Sequence, residues 1–232
     1  MPRTNYFLPL ALLVVVTAVL QLTDLDLQIS ALFFDESSTQ WLGKDRPICV
    51  FVYDWGPAFV LVPGILGIAY IVAGMTIEFR SSQRLRSGLC LVLSPTLSHV
   101  LINEILKRIV DRPRPRYVIE FSGPRSFQKI LDPDFIGEGN SLPSSHAAAG
   151  YSRLSLYFLF QYRRRRLAVT FLIAGATAGS IMGFVRVCQG AHFTSDVLWA
   201  FGVIYFANLL LYRHWYTRKI DDGKNDPSPL LH

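Results

Sequence analysis

Charge is scarce in this sequence. Only 17% of its 232 residues are Asp, Glu, Lys or Arg, whereas 51% are hydrophobic. A water-soluble domain of this size cannot bury so much apolar side chain, which excludes a single soluble globule and makes a membrane the implied solvent. Cysteine is scarce as well. Cys49, Cys90 and Cys188 are scattered, odd in number and without metal-ligand spacing, which argues against a disulfide framework or a structural zinc site. They read as small apolar fillers, with Cys49 and Cys188 placed where they can face an oxidising compartment. Internal repeats and low-complexity domains are missing. No small-x-small cleavage site follows Leu20, where Gln21, Leu22, Thr23 and Asp24 come next. The apolar run behind Arg3 therefore reads as a retained span and not as a cleaved signal.

Long apolar windows are abundant. Crossing about 30 Å of hydrocarbon takes roughly 20 apolar residues in a helix, and six windows of this kind are present: Tyr6 to Leu22, Cys49 to Ile77, Gly88 to Leu106, Ala147 to Tyr162, Leu167 to Val185 and Val197 to Tyr212. The second is long enough to bend at Gly56-Pro57 or Pro63-Gly64, and the fourth is short and carries Arg153. The expected fold is all-α and integral to the membrane, a bundle of six transmembrane helices, with a disordered tail over 221–232.

The arginines suggest an orientation, because positively charged short loops stay cytoplasmic. Arg80, Arg84 and Arg86 lie between spans two and three. Arg163 to Arg166 lie between four and five, and Arg213, Arg218 and Lys219 follow span six. Both termini are thus expected in the cytoplasm. Topology already explains these clusters, so the net charge of +6 requires no nucleic acid. The loop from Lys107 to His146 breaks the pattern, carrying Lys107, Arg108, Arg112, Arg114 and Arg116 on the opposite side. Trp41, Trp55 and Trp199 fall near that side and Trp215 near the other, as amphipathic packing anchors.

Chemistry-bearing residues gather in three segments on that second side. In KRIVDRPRP, Lys107 ends the third helix, while Pro113 and Pro115 force Arg112 and Arg114 into extended conformations. Cations from two directions can then reach one point, and interfacial snorkelling is the alternative. In Pro143-Ser144-Ser145-His146, a serine can cap the fourth span and expose first-turn amides to an anion. Ser-rich caps are common, and a histidine there is also compatible with a plain surface position. In VRVCQGAHFTSD, Arg186 precedes His192, and Asp196 follows four residues later. That spacing places His192 and Asp196 on one helix face, where the carboxylate can hold one ring nitrogen and free the other to attack. A structural hydrogen bond or half of a metal site are the other readings, although no second carboxylate cluster completes such a site. His99, Asn103 and Lys107 form a polar stripe along the third span, supporting either the pocket or interhelical hydrogen bonds. Glu104 and Arg153 also fall within spans, where mutual pairing is one option.

Together these segments resemble the type 2 phosphatidic acid phosphatase family, whose signature is Lys-x6-Arg-Pro, Pro-Ser-Gly-His and Ser-Arg-x5-His-x3-Asp. The resemblance runs from the third span to the sixth, with core motifs over 107–196 of a single membrane domain covering 1–232. It implies His192 as nucleophile, Asp196 as its orienting partner and His146 as general acid. Lys107, Arg114, Arg186, Ser144 and Ser145 would bind phosphate, with His99 and Asn103 as possible supports. No metal and no organic cofactor is implied. Ser145 stands where the family usually has glycine, and Val185 where it usually has serine. The first departure bears on close backbone approach to phosphate, and the second removes one possible contact.

The implied partner is a lipid phosphate in a bacterial-type inner membrane, presented on the periplasmic side. Lipid A, undecaprenyl pyrophosphate and phosphatidylglycerophosphate are candidates. The stretch from Asp26 to Asp35, Tyr53-Asp54-Trp55-Gly56-Pro57, and Arg186 to His192 look similar to the branch acting on lipid A phosphates. Lipid-to-lipid phosphotransfer uses the same residues. A non-catalytic anionic-lipid binding or transport protein needs the cations without an oriented His192. A vanadate-dependent haloperoxidase shares the pocket pattern but is soluble and larger. Oligomeric state leaves no mark in the sequence.

Overall fold

The computed structural model describes residues 6–56, 58, 61–76, 82–132, 139–161 and 163–213, with the side chains of 82, 83, 103 and 104 also outside the description. The expected tail over 221–232, Trp215, and the side chains of Asn103 and Glu104 therefore lie outside the described residues. The described residues are mostly helical. Its helices are α1 (Phe7–Leu22), α2 (Leu25–Ala31), α3 (Pro47–Trp55), α4 (Leu61–Met75), α5 (Ser82–His99), α6 (Lys107–Val110), α7 (Ser145–Tyr151), α8 (Leu154–Phe160), α9 (Arg165–Cys188) and α10 (Thr194–Leu211). A two-residue hairpin, β1 (Phe34–Asp35) with β2 (Gln40–Trp41), lies between α2 and α3.

By length and hydropathy, three helical runs among the described residues can cross a membrane: Arg84–Tyr117, Arg165–Cys188 and Thr194–Leu211. A fourth is possible if α1 and α2, bent by 77° from each other, count as one span. The predicted second span is two helices, α3 and α4, parted next to the anticipated Gly56-Pro57 bend. The predicted fourth is also two, α7 and α8, parted at Ser152 and Arg153, where the Arg153 guanidinium donates to the Gly150 carbonyl at 3.1 Å. The third is longer than predicted. After α5 it widens into a π-helical stretch, Val100–Leu106, and continues through α6 until Asp111 takes the left-handed conformation at φ 42°.

Outward faces are apolar: Leu8, Leu12 and Val15 on α1, Ile65, Ile68 and Val72 on α4, and Ile173, Ile181 and Phe184 on α9 are all exposed. So much uncovered hydrocarbon fits a lipid environment and marks an integral membrane protein. Inside, the main core joins α5, α7, α8, α9 and α10 through Leu91, Tyr151, Leu154, Phe158 and Ile204. A second cluster of Trp41, Val118, Phe121 and Phe193 caps one end. Trp41 is thus a core residue of the cap, while Trp55 is exposed and Trp199 donates its indole N–H to Thr17 at 3.1 Å.

Helices approach most closely at glycines, as expected where lipid supplies no hydrophobic drive and contact area decides packing. A Cβ on Gly150 would lie 2.4 Å from the Cα of Gly179, so α7 and α9 meet backbone to backbone. Gly64 on α4 has nothing within 4 Å. Gly150→Val should lower the stability of detergent-solubilised protein by about 1–3 kcal/mol through overpacking. Gly64→Ala should leave the thermal unfolding midpoint unchanged or raise it, since alanine is the better helix former by about 1 kcal/mol. Equal midpoints for the two variants would contradict this packing.

Candidate active site

The site lies where helices end. Helix α9 stops in a Schellman motif: the Ala191 amide reaches back to the Arg186 carbonyl at 3.0 Å and the Gly190 amide to Val187 at 2.9 Å. Gly190 makes the turn possible at φ +61°, and any Cβ there would strike the Trp41 ring at 2.1 Å. This turn consumes the residues between Arg186 and His192. Helix α10 begins only at Thr194, so His192 sits in the link before it, and the expected shared helix face with Asp196 is not what brings the two together.

The contact between them also differs from expectation. His192 Nδ1 lies 3.6 Å from Asp196 Oδ2, beyond hydrogen-bond distance, and 2.7 Å from the Ser141 carbonyl oxygen. A carbonyl can only accept, so Nδ1 carries the proton and Nε2 keeps its lone pair. Asp196 acts one step back. Its Oδ2 accepts from the Ser141 hydroxyl at 2.5 Å and from the Phe193 amide at 2.7 Å, thereby fixing both the segment that holds the ring and the start of α10. Burial holds the His192 imidazolium well below its ordinary stability, with a pKa of about 4. The Asp196 carboxylate opposes this shift, while Arg186 and Lys107 add to it. The ring is neutral near pH 7.

Sequence reasoning missed the group that anchors Asp196. Arg112 is 1% exposed. It donates through NH1 to Asp196 Oδ1 at 2.8 Å and to the Ser195 hydroxyl at 2.7 Å. Through NH2 it bonds Asp26 Oδ2 at 2.9 Å, and through Nε the Gln128 carbonyl at 2.9 Å. Asp26, on α2, also accepts the Ser195 amide at 3.0 Å and the Ser195 hydroxyl. The available signal was the cluster of basic residues from Lys107 to Arg116, which breaks the expected charge pattern of the loops. A buried guanidinium requires acids, and Asp26 and Asp196 were both at hand.

The remaining cations line the approach to His192. Arg114, extended at φ −78° and ψ 155°, donates to Asn140 at 2.7 Å. Arg186 donates to Gln189 at 2.6 Å, and its Nε is buried without a partner among the described residues. The Lys107 side chain makes no hydrogen bond or ion pair among the described residues, while its carbonyl accepts the Asp111 amide at 3.4 Å. Burial first, and then the nearby Arg186, Lys107 and Arg114 cations, lowers the pKa of His146 to about 4, so the three cations and the two histidines share one electrostatic environment. Ser144 is fully buried as the N-cap of α7, its hydroxyl accepting from the Ala147 amide at 3.4 Å. Ser145 is the first residue of that helix and half-buried. Val185 is buried in α9. His99 is on the exposed end of α5 and borders, with His146, Ser98 and Ser152, a cavity of about 380 Å³. Among the described residues, no three His, Cys, Asp or Glu side chains form a group able to hold a metal ion.

The PAP2 superfamily profile matches residues 87–220, more than half of the chain, which belongs to that superfamily and is an enzyme of its phosphatase type. A curated relative, the lipid A 4'-phosphatase of Francisella tularensis subsp. novicida (strain U112), is 26% identical over 205 residues, covering 84% of this chain and 88% of that protein. Among solved structures, the transmembrane PAP2-type phosphatidylglycerolphosphate phosphatase from Bacillus subtilis superposes with a TM-score of 0.56 at 19% identity, covering 94% of this chain and 96% of that one. It shares the fold.

Arg112→Ala should therefore strip two buried carboxylates of their partner, cost about 3–5 kcal/mol and abolish phosphate release. Arg114→Ala should reduce phosphate release with the unfolding midpoint held. Thermal unfolding and phosphate assays on both variants check the contrast, and an Arg112→Ala protein as stable as the parent would refute the anchoring role.

Proposed function

We propose that the protein is a lipid phosphatase in which His192 attacks phosphorus and His146 protonates the departing oxygen. The observation that carries this reading is the buried, neutral His192, whose Nδ1–H is donated to the Ser141 carbonyl at 2.7 Å, beside the converging Lys107, Arg114 and Arg186. A pocket that only bound an anion would need the cations but no imidazole held in one tautomer.

The chemistry follows from that arrangement. Phosphate monoester hydrolysis is among the slowest uncatalysed reactions, with enzymes supplying up to about 10²¹-fold acceleration, so charge stabilisation and positioning must dominate. The three cations take the phosphoryl oxygens, and the partnerless Arg186 Nε supplies a donor for one of them. Ser144 shapes the start of α7, and the amides at Ser145 and His146 complete the anion site. Bound phosphate brings negative charge among the cations that otherwise hold His146 neutral, which favours its protonated form. The Nε2 lone pair of His192 then forms the N–P bond as the P–O bond to the lipid breaks, and His146 gives its proton to that oxygen. Water, deprotonated by His146, then cleaves the N–P bond and returns His192. His99 and Asn103 support the pocket from the membrane side.

The same reading has six passes, with α3 and α4 forming one crossing and α7 and α8 another. The basic Arg163–Arg166 loop supports both termini in the cytoplasm and His192 at the periplasmic face of a bacterial inner membrane. Lipid A phosphate is the preferred substrate class. It is supported by the lipid A 4'-phosphatase relative, which spans most of both chains.

Two experiments test this. Cysteines introduced at Ser38 and at Arg164 should differ in labelling of intact spheroplasts by an impermeant maleimide, with only the first reacting. The opposite pattern would move the site to the cytoplasmic face. Leaving-group dependence separates the histidines. His192→Ala should abolish turnover of lipid phosphate and of p-nitrophenyl phosphate alike. His146→Ala should lose about 10²–10⁴-fold on the lipid, whose alkoxide needs a proton, and far less on the aryl ester. Equal losses in His146→Ala would remove it from the acid role.

A further inference from the structure

The aromatic ring between the general acid and a phosphate-binding arginine has no role in the reading so far. Tyr53, on α3, stacks on His146 with ring centroids 4.8 Å apart and planes inclined by 18°. The guanidinium carbon of Arg186 sits 4.5 Å from the centroid of the same ring. Helix α3 is held against α9 close by: a Cβ on Gly56 would lie 2.7 Å from the Met182 side chain, one turn before Arg186. The Gly43 amide, just ahead of α3, donates to the Cys188 carbonyl at 2.9 Å. Tyr53 also lies outside the 87–220 segment that matches the superfamily.

From these two ring contacts we infer that Tyr53 is a positioning residue for proton transfer: its ring holds the imidazole plane of His146 in a fixed relation to Arg186, so that the acid faces the leaving oxygen of a phosphate held by that arginine. The inference rests on the acid role of His146 proposed above. An imidazole at the start of a short helix has rotational freedom of its own, and a parallel aromatic face restricts it. The π face also attracts the guanidinium, setting the distance between the group that binds phosphate and the group that protonates the ester oxygen. Tyr53 keeps 41% of its surface exposed, and its contacts with His146 and Arg186 are made by the ring.

Tyr53→Phe retains the face, and turnover within about threefold of the parent is expected on both substrates. Tyr53→Leu removes the face. Its loss of kcat/KM on the lipid phosphate should exceed its loss on p-nitrophenyl phosphate by about tenfold, the size of a lost aromatic contact. Tyr53→Met fills similar space without a π face and provides the same comparison if the leucine variant does not fold. Equal losses on the two substrates, or a phenylalanine variant as impaired as the leucine one, would overturn the inference. If His146→Ala itself fails to distinguish the substrates, the acid assignment falls and this inference with it. If His146→Ala distinguishes them and Tyr53→Leu does not, only the role of Tyr53 is refuted.

Discussion

One guanidinium holds the site in register. Arg112 occupies the interior of a loop, and its four hydrogen bonds reach α2 through Asp26, the start of α10 through Ser195 and Asp196, and the neighbouring loop through Gln128. Burying one cation and two carboxylates is costly unless their polar atoms are matched, and here each guanidinium nitrogen and each carboxylate oxygen has a partner. The matching extends through the backbone: the Arg112 carbonyl accepts the Ser141 amide at 3.0 Å, and Ser141 in turn carries the carbonyl that fixes His192. The tautomer of His192 depends on this chain of contacts, although Arg112 does not touch the imidazole.

Around that anchor the site is assembled from helix ends and links. The Schellman turn after α9 positions the link carrying His192, the N-terminus of α10 presents Asp196, and the start of α7 presents His146. Close glycine contacts let α7 and α9 approach without intervening side chains, so His146 and Arg186 share a narrow space. The rigidity that catalysis by charge stabilisation needs comes from backbone geometry at these termini.

Much of this was legible in the sequence. The three motif segments were read with their order and spacing, and α9 and α10 fall on the predicted fifth and sixth spans, because long apolar runs bounded by Arg165 and by Thr194 leave little choice. Helix breaks inside apolar runs were harder. Ser152-Arg153 and the π-helical widening at Val100–Leu106 carry no punctuation comparable to proline or glycine pairs, and local packing decides them. The pairing of His192 with Asp196 was inferred from helical spacing, whereas hydrogen-bond accounting in three dimensions gives the ring to Ser141. Arg112, Asp26 and Tyr53 stood in stretches already noted as unusual. Their roles depend on contacts between segments far apart in the chain, which no local pattern records.

That distance has a consequence for how the enzyme comes into being. Arg112 is separated by 86 residues from Asp26 and by 84 from Asp196, and Ser195 bonds to a residue 169 positions earlier. A ribosome that has not yet released α10 has made Asp26, Arg112, His146 and Arg186, but it has supplied neither His192 nor the carboxylate around which the arginine is built. The anchor around Arg112 therefore closes only after the start, middle and end of the chain have come together, a set of long-range contacts that local folding of the earlier helices cannot supply.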